Sequence, residues 1–186
     1  MAVSYYYIIV PSVFGTFSIL WRETGEKSKI FRIILSKNKE SAFKLIQNTF
    51  SNINQSSNPT ILHMVNLMQS FLSGQKVKFN LNLLALETCS DFQQRVLLAE
   101  NDIPRGWVST YGRIGKHLGI SRGARAVGNA LASNPFPLII PCHRAIRSDL
   151  TLGGYQGGME MKRALLEFEG IEISKEGKVI TPKYYY

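Results

Sequence analysis

The stretch "STYGRIGKHLGISRGARAVGNALASN", from Ser109 to Asn134, decides the fold of the second half of the chain. Ser109 or Thr110 can cap a first short helix, and Gly119 can end it in the left-handed conformation that glycine adopts easily. Ser121 can cap a second helix that continues to about Asn134. Because a connector of only about "GI" separates the two segments, the pattern predicts a helix-turn-helix.

The second of these helices carries small residues around one long cation. The run "GARAVGNALA" places Ala124 and Gly128 beside Arg125. A helix that reads base edges in the major groove usually carries several polar side chains. This composition instead favours close approach of the backbone to its partner, with little sequence readout. Tight helix packing inside the domain is the alternative for one face of the helix.

The charge of the chain is concentrated around the same stretch. The formal net charge is +9 over 186 residues. Between Ile103 and Arg147 there is no Asp or Glu, while the basic residues are Arg105, Arg113, Lys116, Arg122, Arg125, Arg144 and Arg147. A single-sign stretch of this kind indicates a polyanionic partner. A solvated basic face is the simpler interpretation.

The bulk composition is that of a globular protein. Hydrophobic residues make up 45% of the chain, enough for a substantial core. The N-terminal "MAVSYYYIIVP" has no basic segment of the kind that begins a signal peptide, and no apolar run is long enough to span a bilayer. We expect a cytoplasmic protein with no membrane partner. Two cysteines and three scattered histidines show no zinc-ligand spacing, so we expect no metal and no cofactor.

The first half of the chain reads as strands followed by helices. The predicted strands are Tyr5–Val10, Phe14–Glu23, Lys29–Leu35 and a short one at Val77–Leu81. The predicted helices are Lys39–Phe50 and the run "TILHMVNLMQSFLSG", with the polar loop "SNINQSSNP" between them. This pattern predicts an antiparallel sheet with helices on it. The character changes at about Leu86, where a helix capped by Ser90 or Asp91 begins.

A cysteine and a histidine stand side by side in "PLIIPCHRAIR", Pro137–Arg147. We expect a buried strand here, on which adjacent side chains point to opposite sides. His143 can then take a proton from Cys142 only through a bridging water, with a carboxylate behind the imidazole to hold its tautomer. Glu169, at the end of the helix "MEMKRALLEFEG", is a candidate. A buried structural cysteine beside a surface histidine is the alternative.

A glycine-rich loop, "GGYQGG", follows this site at Gly153–Gly158. With Tyr155 in it, such a loop suits a pocket wall that must lie close to a flat ligand.

These motifs together resemble the O6-alkylguanine-DNA alkyltransferases. The similarity covers about Leu86–Gly170 and rests on "VSTYGRI", "GARAVGNAL", "NPFPLIIPCHR", "GGYQGG" and "LLEFEG". The first half is similar only in its length and its order of strands and helices. The resemblance implies an α+β fold, with a ribonuclease H-like N-terminal domain over 1–85 and a mainly helical winged helix-turn-helix domain over 86–186.

The resemblance also implies a role for each site residue. Cys142 accepts the alkyl group of O6-alkylguanine, or of O4-alkylthymine, and the protein is thereby inactivated. His143 acts as its base through water, and Glu169 orients the histidine. Asn134 joins the helix pair to the active-site loop. Tyr111 contacts the flipped nucleotide and assists protonation of the leaving guanine.

The same resemblance implies the partner, which is double-stranded DNA bound through its minor groove by a monomer. Arg125 enters the base stack in place of the flipped guanine. The DNA-binding set is Tyr111, Ser121, Arg122, Ala124, Arg125, Gly128 and Arg144. The substrate pocket is formed by Pro137, Ala145, Tyr155, Gln156 and Gly157.

Three other functions remain open at this point. The first is a non-catalytic protein that binds alkylated DNA, against which the presence of Cys142 counts. The second is a helix-turn-helix regulator whose cysteine senses alkylation, against which the small-residue helix counts. The third is a thiol hydrolase, for which the sequence shows no oxyanion-hole loop.

Overall fold

The computed structural model describes residues 3–36, 42–50 and 52–186, and it divides the chain into two compact units. The first unit comprises Met1–Thr88 together with the short segment Pro135–Ile139. The second comprises Cys89–Asn134 and Ile140–Tyr186. The structure is therefore mixed α and β, with a sheet at the N-terminal end of the chain.

The first unit is built on a four-stranded sheet. Its strands are β1 (Ser4–Ser12), β2 (Gly15–Thr24), β3 (Lys27–Leu35) and β4 (Asn54–Gln55), in the order β3-β2-β1-β4. The first three pair antiparallel, and this confirms the three strands predicted from aromatic and β-branched runs. Strand β4 pairs parallel with β1 and lies in the segment expected to be a polar loop. Two residues are too few to show the alternation of a strand.

Two helices accompany this sheet. Helix α1 spans Ala42–Thr49 and places Ile46 in a core cluster with Tyr7 and Leu20. The part of the predicted helix before Ala42 lies outside the described residues. Helix α2 spans Pro59–Leu72. Its start is set by Asn58, whose side chain accepts a hydrogen bond from the Ile61 N–H.

The strand predicted at Val77–Leu81 is wrong. Residues 77–80 form no regular element, and a 3-10 turn follows at Leu81–Leu83. Asn80 begins this turn, because its side chain accepts a hydrogen bond from the Asn82 N–H. A local cap of this kind competes with strand pairing. The segment meets β3 through an isolated bridge between Ile30 and Leu84 and a hydrogen bond from the Ala85 N–H to the Ile30 carbonyl.

The second unit is mainly helical. Its helices are α3 (Asp91–Asp102), α4 (Tyr111–His117), α5 (Ala124–Ala132) and α6 (Met159–Phe168). Two short strand pairs complete it: the parallel pair β5 (Ser109–Thr110) and β6 (Ala145–Ile146), and the antiparallel pair β7 (Glu172–Ile173) and β8 (Val179–Ile180). One core cluster consists of Val108, Ile146, Leu152, Leu166, Ile171 and Val179. Across the described ranges, none of the helices has the length and apolar character needed to cross a bilayer.

The predicted helix pair is present as α4 and α5, with a longer connector than expected. Thr110 caps α4 by accepting a hydrogen bond from the Arg113 N–H, and Gly119 follows its end with φ +74°, as predicted. The predicted Ser121 cap is wrong, because residues 118–123 form the connector and α5 begins only after Gly123. A hydrogen bond from the Ile120 N–H to the Gly115 carbonyl closes this connector.

Glycines allow this connector to pack closely on α4. A Cβ atom at Gly115 would lie 3.2 Å from the Gly123 Cα, and one at Gly123 would lie 2.9 Å from the Ile120 Cγ2. Part of the small-residue composition therefore serves packing inside the unit, which was the alternative interpretation of that stretch.

The tyrosines at the C-terminal end of the sequence join several elements of the second unit. The Tyr185 N–H donates to the Val108 carbonyl, and the Tyr186 hydroxyl donates to the Ala99 carbonyl in α3. The Tyr186 ring stacks on His117 of α4 with 3.8 Å between centroids. The tail thus ties α3 to α4, a function that the repeated tyrosines alone did not indicate.

Candidate active site

Cys142 lies at the start of a buried 3-10 turn, Cys142–Arg144. The predicted strand leading into it is wrong. The Cys142 N–H donates to the Ile140 carbonyl and the Arg144 N–H donates to the Pro141 carbonyl, so the backbone turns sharply here. The side chains of residues 142–144 therefore fan out from a turn and do not alternate as they would on a strand.

One carboxylate organises the two residues that follow the cysteine. The His143 Nε2 lies 2.9 Å from the Glu169 Oε1. Arg144 donates to both oxygens of the same carboxylate, from Nε at 2.8 Å and from Nη2 at 2.7 Å. The third Arg144 nitrogen, Nη1, donates to the Ile103 carbonyl at 2.6 Å. All three side chains are buried, so this is an internal network.

The charges in this network fix the tautomer of His143. Burial alone would raise the pKa of Glu169, but its hydrogen bond to His143 and its pairing with Arg144 lower the pKa to about 2. Burial lowers the pKa of His143, which the Glu169 contact only partly opposes. A neutral imidazole must therefore donate its Nε2 proton to the ionised Glu169. The other ring nitrogen, Nδ1, is then unprotonated and can act as a base.

Asn134 holds the sulfur of Cys142. Its side-chain amide donates to the Cys142 Sγ at 3.3 Å and to the Ile140 carbonyl at 3.2 Å. Burial raises the pKa of the thiol to about 12, and the Asn134 hydrogen bond only partly offsets this effect. The resting cysteine is a neutral thiol, so it needs a base before it can attack.

The glycine-rich loop is attached to the same residues. Gln156 donates through Nε2 to the Asn134 carbonyl at 2.6 Å and to the Ala132 carbonyl at 3.2 Å. The Tyr155 ring meets the His143 ring edge-on, with 6.3 Å between centroids. The Tyr155 hydroxyl is buried and has no hydrogen-bond partner among residues 3–36, 42–50 and 52–186. The loop therefore brings an unsatisfied polar group next to the imidazole.

Tyr111 is placed against this loop. It is the first residue of α4, and its ring contacts Gly153, where an added Cβ would come 2.7 Å from the Tyr111 hydroxyl oxygen. Burial, followed by the charges of Glu100 and Cys142, raises the pKa of Tyr111 to about 12. The phenol therefore keeps its proton at neutral pH.

The remaining predicted residues fall into three groups. Ser121, Arg122, Ala124 and Arg125 are exposed along the connector and α5, and Gly128 is half-buried. Ala145 is buried next to the reactive turn, and Gly157 is half-buried in the loop. Pro137 belongs to the segment Pro135–Ile139 of the first unit, whereas the other site residues belong to the second.

Arg144 does not fit its predicted DNA-binding role. Only 9% of the residue is exposed, and all of its guanidinium nitrogens are occupied by Glu169 and Ile103. The carboxylate that neutralises it comes from a helix end 25 residues later. An acid-free stretch of sequence could not reveal a partner at that distance.

Two buried ionisable residues near the site were not predicted from the sequence. Glu100 in α3 and Lys162 in α6 are both fully buried. Each occupies an apolar position of its helix, Glu100 four residues after Val96 and Lys162 between Met161 and Leu165. A charged residue at a core position of an amphipathic helix is the signal that could have found them. In the described ranges, no group of three or more His, Cys, Asp or Glu residues could hold a metal ion.

Replacing Glu169 with Gln tests the network. The pKa of this carboxyl in the folded protein is about 2, below its ordinary value of 4.5, so its contribution is complete above pH 4.5 and is lost as the pH falls towards 2. We expect Glu169→Gln to lower the free energy of unfolding at pH 7 by about 3 kcal/mol, because Arg144 becomes an unpaired buried cation. Urea unfolding at several pH values measures both effects.

The control is Glu167→Gln, which removes an exposed carboxylate 3.6 Å from Arg163 in the same helix. This change should cost less than about 0.5 kcal/mol. The role of Glu169 in the network would be refuted if both variants lost the same free energy of unfolding. It would also be refuted if Glu169→Gln lost as much stability below pH 4.5 as the wild type does.

Replacing Gly153 with Ala tests the contact between Tyr111 and the loop. Gly153 has φ +71°, and the new methyl would overlap the Tyr111 hydroxyl. We expect a loss of about 2 kcal/mol in the free energy of unfolding, measured in urea. Gly154→Ala is the matched control, since no atom lies within 4 Å of its added Cβ. If both variants were as stable as the wild type, the contact would not constrain the loop.

The chain shows clear similarity to known proteins over this region. A family model described as the DNA-binding domain of 6-O-methylguanine DNA methyltransferase matches residues 91–171. A methylated-DNA–protein-cysteine methyltransferase from Methanothermobacter thermautotrophicus is 42% identical over 134 residues, which is 72% of this chain and 75% of that protein.

Solved structures agree with this similarity. The O6-methylguanine methyltransferase of Mycobacterium tuberculosis matches with a TM-score of 0.67 and 29% identity, over 90% of this chain and 93% of that one. The structure of the Mycobacterium tuberculosis OGT in complex with DNA matches with a TM-score of 0.68 and 32% identity, over 89% and 93% of the two chains. From these similarities together, the chain belongs to the methylated-DNA–protein-cysteine methyltransferase family.

Proposed function

We propose that this protein repairs DNA by moving the alkyl group of O6-alkylguanine, or of O4-alkylthymine, onto the sulfur of Cys142. The observation that carries the proposal is the arrangement around that sulfur: a buried thiol held by Asn134, beside a neutral imidazole oriented by Glu169. The names of the similar proteins support the same reaction, and the DNA complex of one of them supports DNA as the partner.

The transfer is a displacement at the alkyl carbon. As the bond between Sγ and carbon forms, the bond between carbon and O6 breaks, and the electron pair goes to the guanine. The thiol proton leaves through a water to Nδ1 of His143, and the departing guanine takes up a proton, so that protons balance. The product is a thioether, which hydrolysis does not reverse. Each molecule therefore reacts once.

Tyr111 is suited to supply the proton to the leaving guanine. Its raised pKa of about 12 keeps the phenol protonated until the guanine develops negative charge. The contact with Gly153 holds its hydroxyl at the loop that carries Tyr155, Gln156 and Gly157. These loop residues, with Ala145, would line the pocket for the base.

The exposed part of α5 suits DNA binding through the minor groove by a monomer. The base must leave the duplex, at a cost of a few kcal/mol, before the buried sulfur can reach it. Ala124 and Gly128 allow the helix backbone to come close, and the exposed Arg125 can enter the stack and offset the lost contacts. Ser121 and Arg122 are exposed in the connector before α5, where they are available for phosphate contacts. Arg144 is excluded from this surface by its burial.

The same family relationship suggests a finer description of the architecture. We propose a ribonuclease H-like domain over 1–85, supported by the strand order β3-β2-β1-β4 with β4 parallel to β1. We further propose a winged helix-turn-helix domain over 86–186, in which α4 and α5 are the helix pair and the hairpin β7–β8 is the wing.

Intact mass after incubation with an O6-methylguanine oligonucleotide tests the reaction. We expect a gain of one methylene mass per chain, located on the Cys142 peptide. Cys142→Ala should lose the transfer and keep its affinity for DNA. Cys89→Ala, which changes the other buried cysteine, should react like the wild type. Binding without any mass gain would overturn the proposal and favour a protein that only marks alkylated DNA, or a regulator.

A separate measurement tests Arg125. We expect Arg125→Ala to weaken binding to a duplex that contains O6-methylguanine by about tenfold and to slow the transfer, since base stacking contacts are worth about 1–3 kcal/mol. Arg32→Ala removes an exposed arginine of β3 in the first unit and is the control for net charge. Fluorescence anisotropy gives both affinities. Equal weakening in the two variants would reduce the role of Arg125 to general electrostatics.

A further inference from the structure

The proposed reaction assigns no role to one buried acidic residue near the site. Glu100 of α3 is fully buried, and neither of its carboxyl oxygens has a hydrogen-bond partner in the part of the chain that the structure describes. An unsatisfied carboxyl in a protein interior costs free energy that an apolar side chain of similar size would avoid. The other buried residues of the same helix are the apolar Val96, Leu97 and Ala99.

The surroundings of Glu100 lead directly to the reactive turn. Helix α3 packs against the turn Cys142–Arg144, and helix α6 packs against the same turn from its own side. Ala145 directly follows this turn, and its carbonyl accepts a hydrogen bond from the Lys162 Nζ at 2.7 Å. The positive charge of Lys162 also favours the ionised form of Glu100. Glu100 and Lys162 are thus two buried ionisable residues, one in each of the helices that pack against the turn carrying the thiol.

These two charges act on Cys142 in opposite directions. The negative charge of Glu100 raises the pKa of the thiol, and the positive charge of Lys162 lowers it, both as smaller effects than burial and the Asn134 hydrogen bond. We propose that Glu100 sets the reactivity of Cys142 through its own protonation. A neutral Glu100 leaves the Lys162 ammonium to favour the thiolate, and an ionised Glu100 opposes the thiolate. The effect of Glu100 on alkyl transfer to Cys142 rests on the proposed function, whereas its effect on the thiol does not.

The charged and titratable groups around Glu100 determine the pH at which its carboxyl loses its proton. They are Lys162 of α6, Arg144 and Cys142 of the reactive turn, Tyr111 of α4 and Tyr186 of the C-terminal tail. Burial raises the pKa of Glu100 to about 8, although Lys162 and Arg144 oppose it. Burial also lowers the pKa of Lys162 to about 8.

The sign of the pH dependence follows from these two groups. Below pH 8 the acid is neutral and the amine is charged, so the pair is net positive and assists the thiolate. As the pH rises through about 8, both groups lose protons and the pair becomes net negative. Below the pKa of an isolated thiol, its thiolate fraction rises about tenfold for each pH unit. The reactivity of Cys142 should therefore rise less steeply than this across pH 8.

The test measures the reaction of Cys142 with iodoacetamide between pH 6.5 and 9.5, without DNA. The variants Glu100→Gln and Glu100→Leu are made in a Cys89→Ala background, and the rate is followed by mass on the Cys142 peptide. Above pH 8 we expect Glu100→Gln to react about tenfold faster than the parent, which corresponds to one pKa unit for the thiol. Below pH 7 the two rates should converge, because Glu100 is then neutral in the parent.

Glu167→Gln, which removes an exposed carboxylate, is the control and should leave the profile unchanged. A purely structural role would change the free energy of unfolding of the Glu100 variants and leave the pH profile of Cys142 as it is. Superimposable profiles, or slower alkaline reaction in both Glu100 variants, would overturn the inference.

The methyl-transfer assay, run over the same pH range, separates this inference from the proposed function. A changed iodoacetamide profile without any methyl transfer in the parent would refute the repair function and retain the role of Glu100. Methyl transfer with the same pH profile in the parent and in Glu100→Gln would retain the function and refute the role of Glu100.

Discussion

The carboxylate of Glu169 is the contact on which the rest of the site depends. It receives two hydrogen bonds from Arg144 and one from His143, and it lies in the interior of the second unit. A buried guanidinium without this partner would cost several kcal/mol. The same acid therefore neutralises the arginine that follows the reactive pair and fixes the tautomer of the histidine. The carboxylate that pairs with Arg144 of this turn is thus the one that sets the tautomer of His143.

A second set of contacts fixes the sulfur. Gln156 binds the Asn134 carbonyl, and the Asn134 amide binds the Cys142 Sγ, so the glycine-rich loop and the end of α5 are joined through one asparagine. Gly153 allows the ring of Tyr111 to lie against the same loop. Contacts within the protein therefore hold the Cys142 thiol, the His143 imidazole and the Tyr111 phenol in place. This preorganisation lowers the entropic cost of reaching the reactive geometry.

Local signals in the sequence predicted much of this structure, and the failures have a common physical origin. Strands β1–β3, the Thr110 cap and the stop at Gly119 follow from short-range preferences, and the structure contains all of them. The strand expected before Cys142 is interrupted by a turn at residues 138–139, where Leu138 has φ +74°, and the apolar pattern gives no sign of this turn. Arg144 was expected on the surface, since the acid that buries it is distant in sequence. Pairings between remote residues are not visible in local periodicity.

Burial affects the Cys142 thiolate differently from the neutral thiol and from the proposed thioether product. Burial around Cys142 penalises the thiolate, and this penalty is relieved when the sulfur becomes a neutral thioether. The resting thiol and the proposed thioether are both neutral, so burial raises the free energy of the thiolate between them and penalises neither end state. In the proposed reaction, His143 therefore has to make the thiolate accessible only once in each molecule.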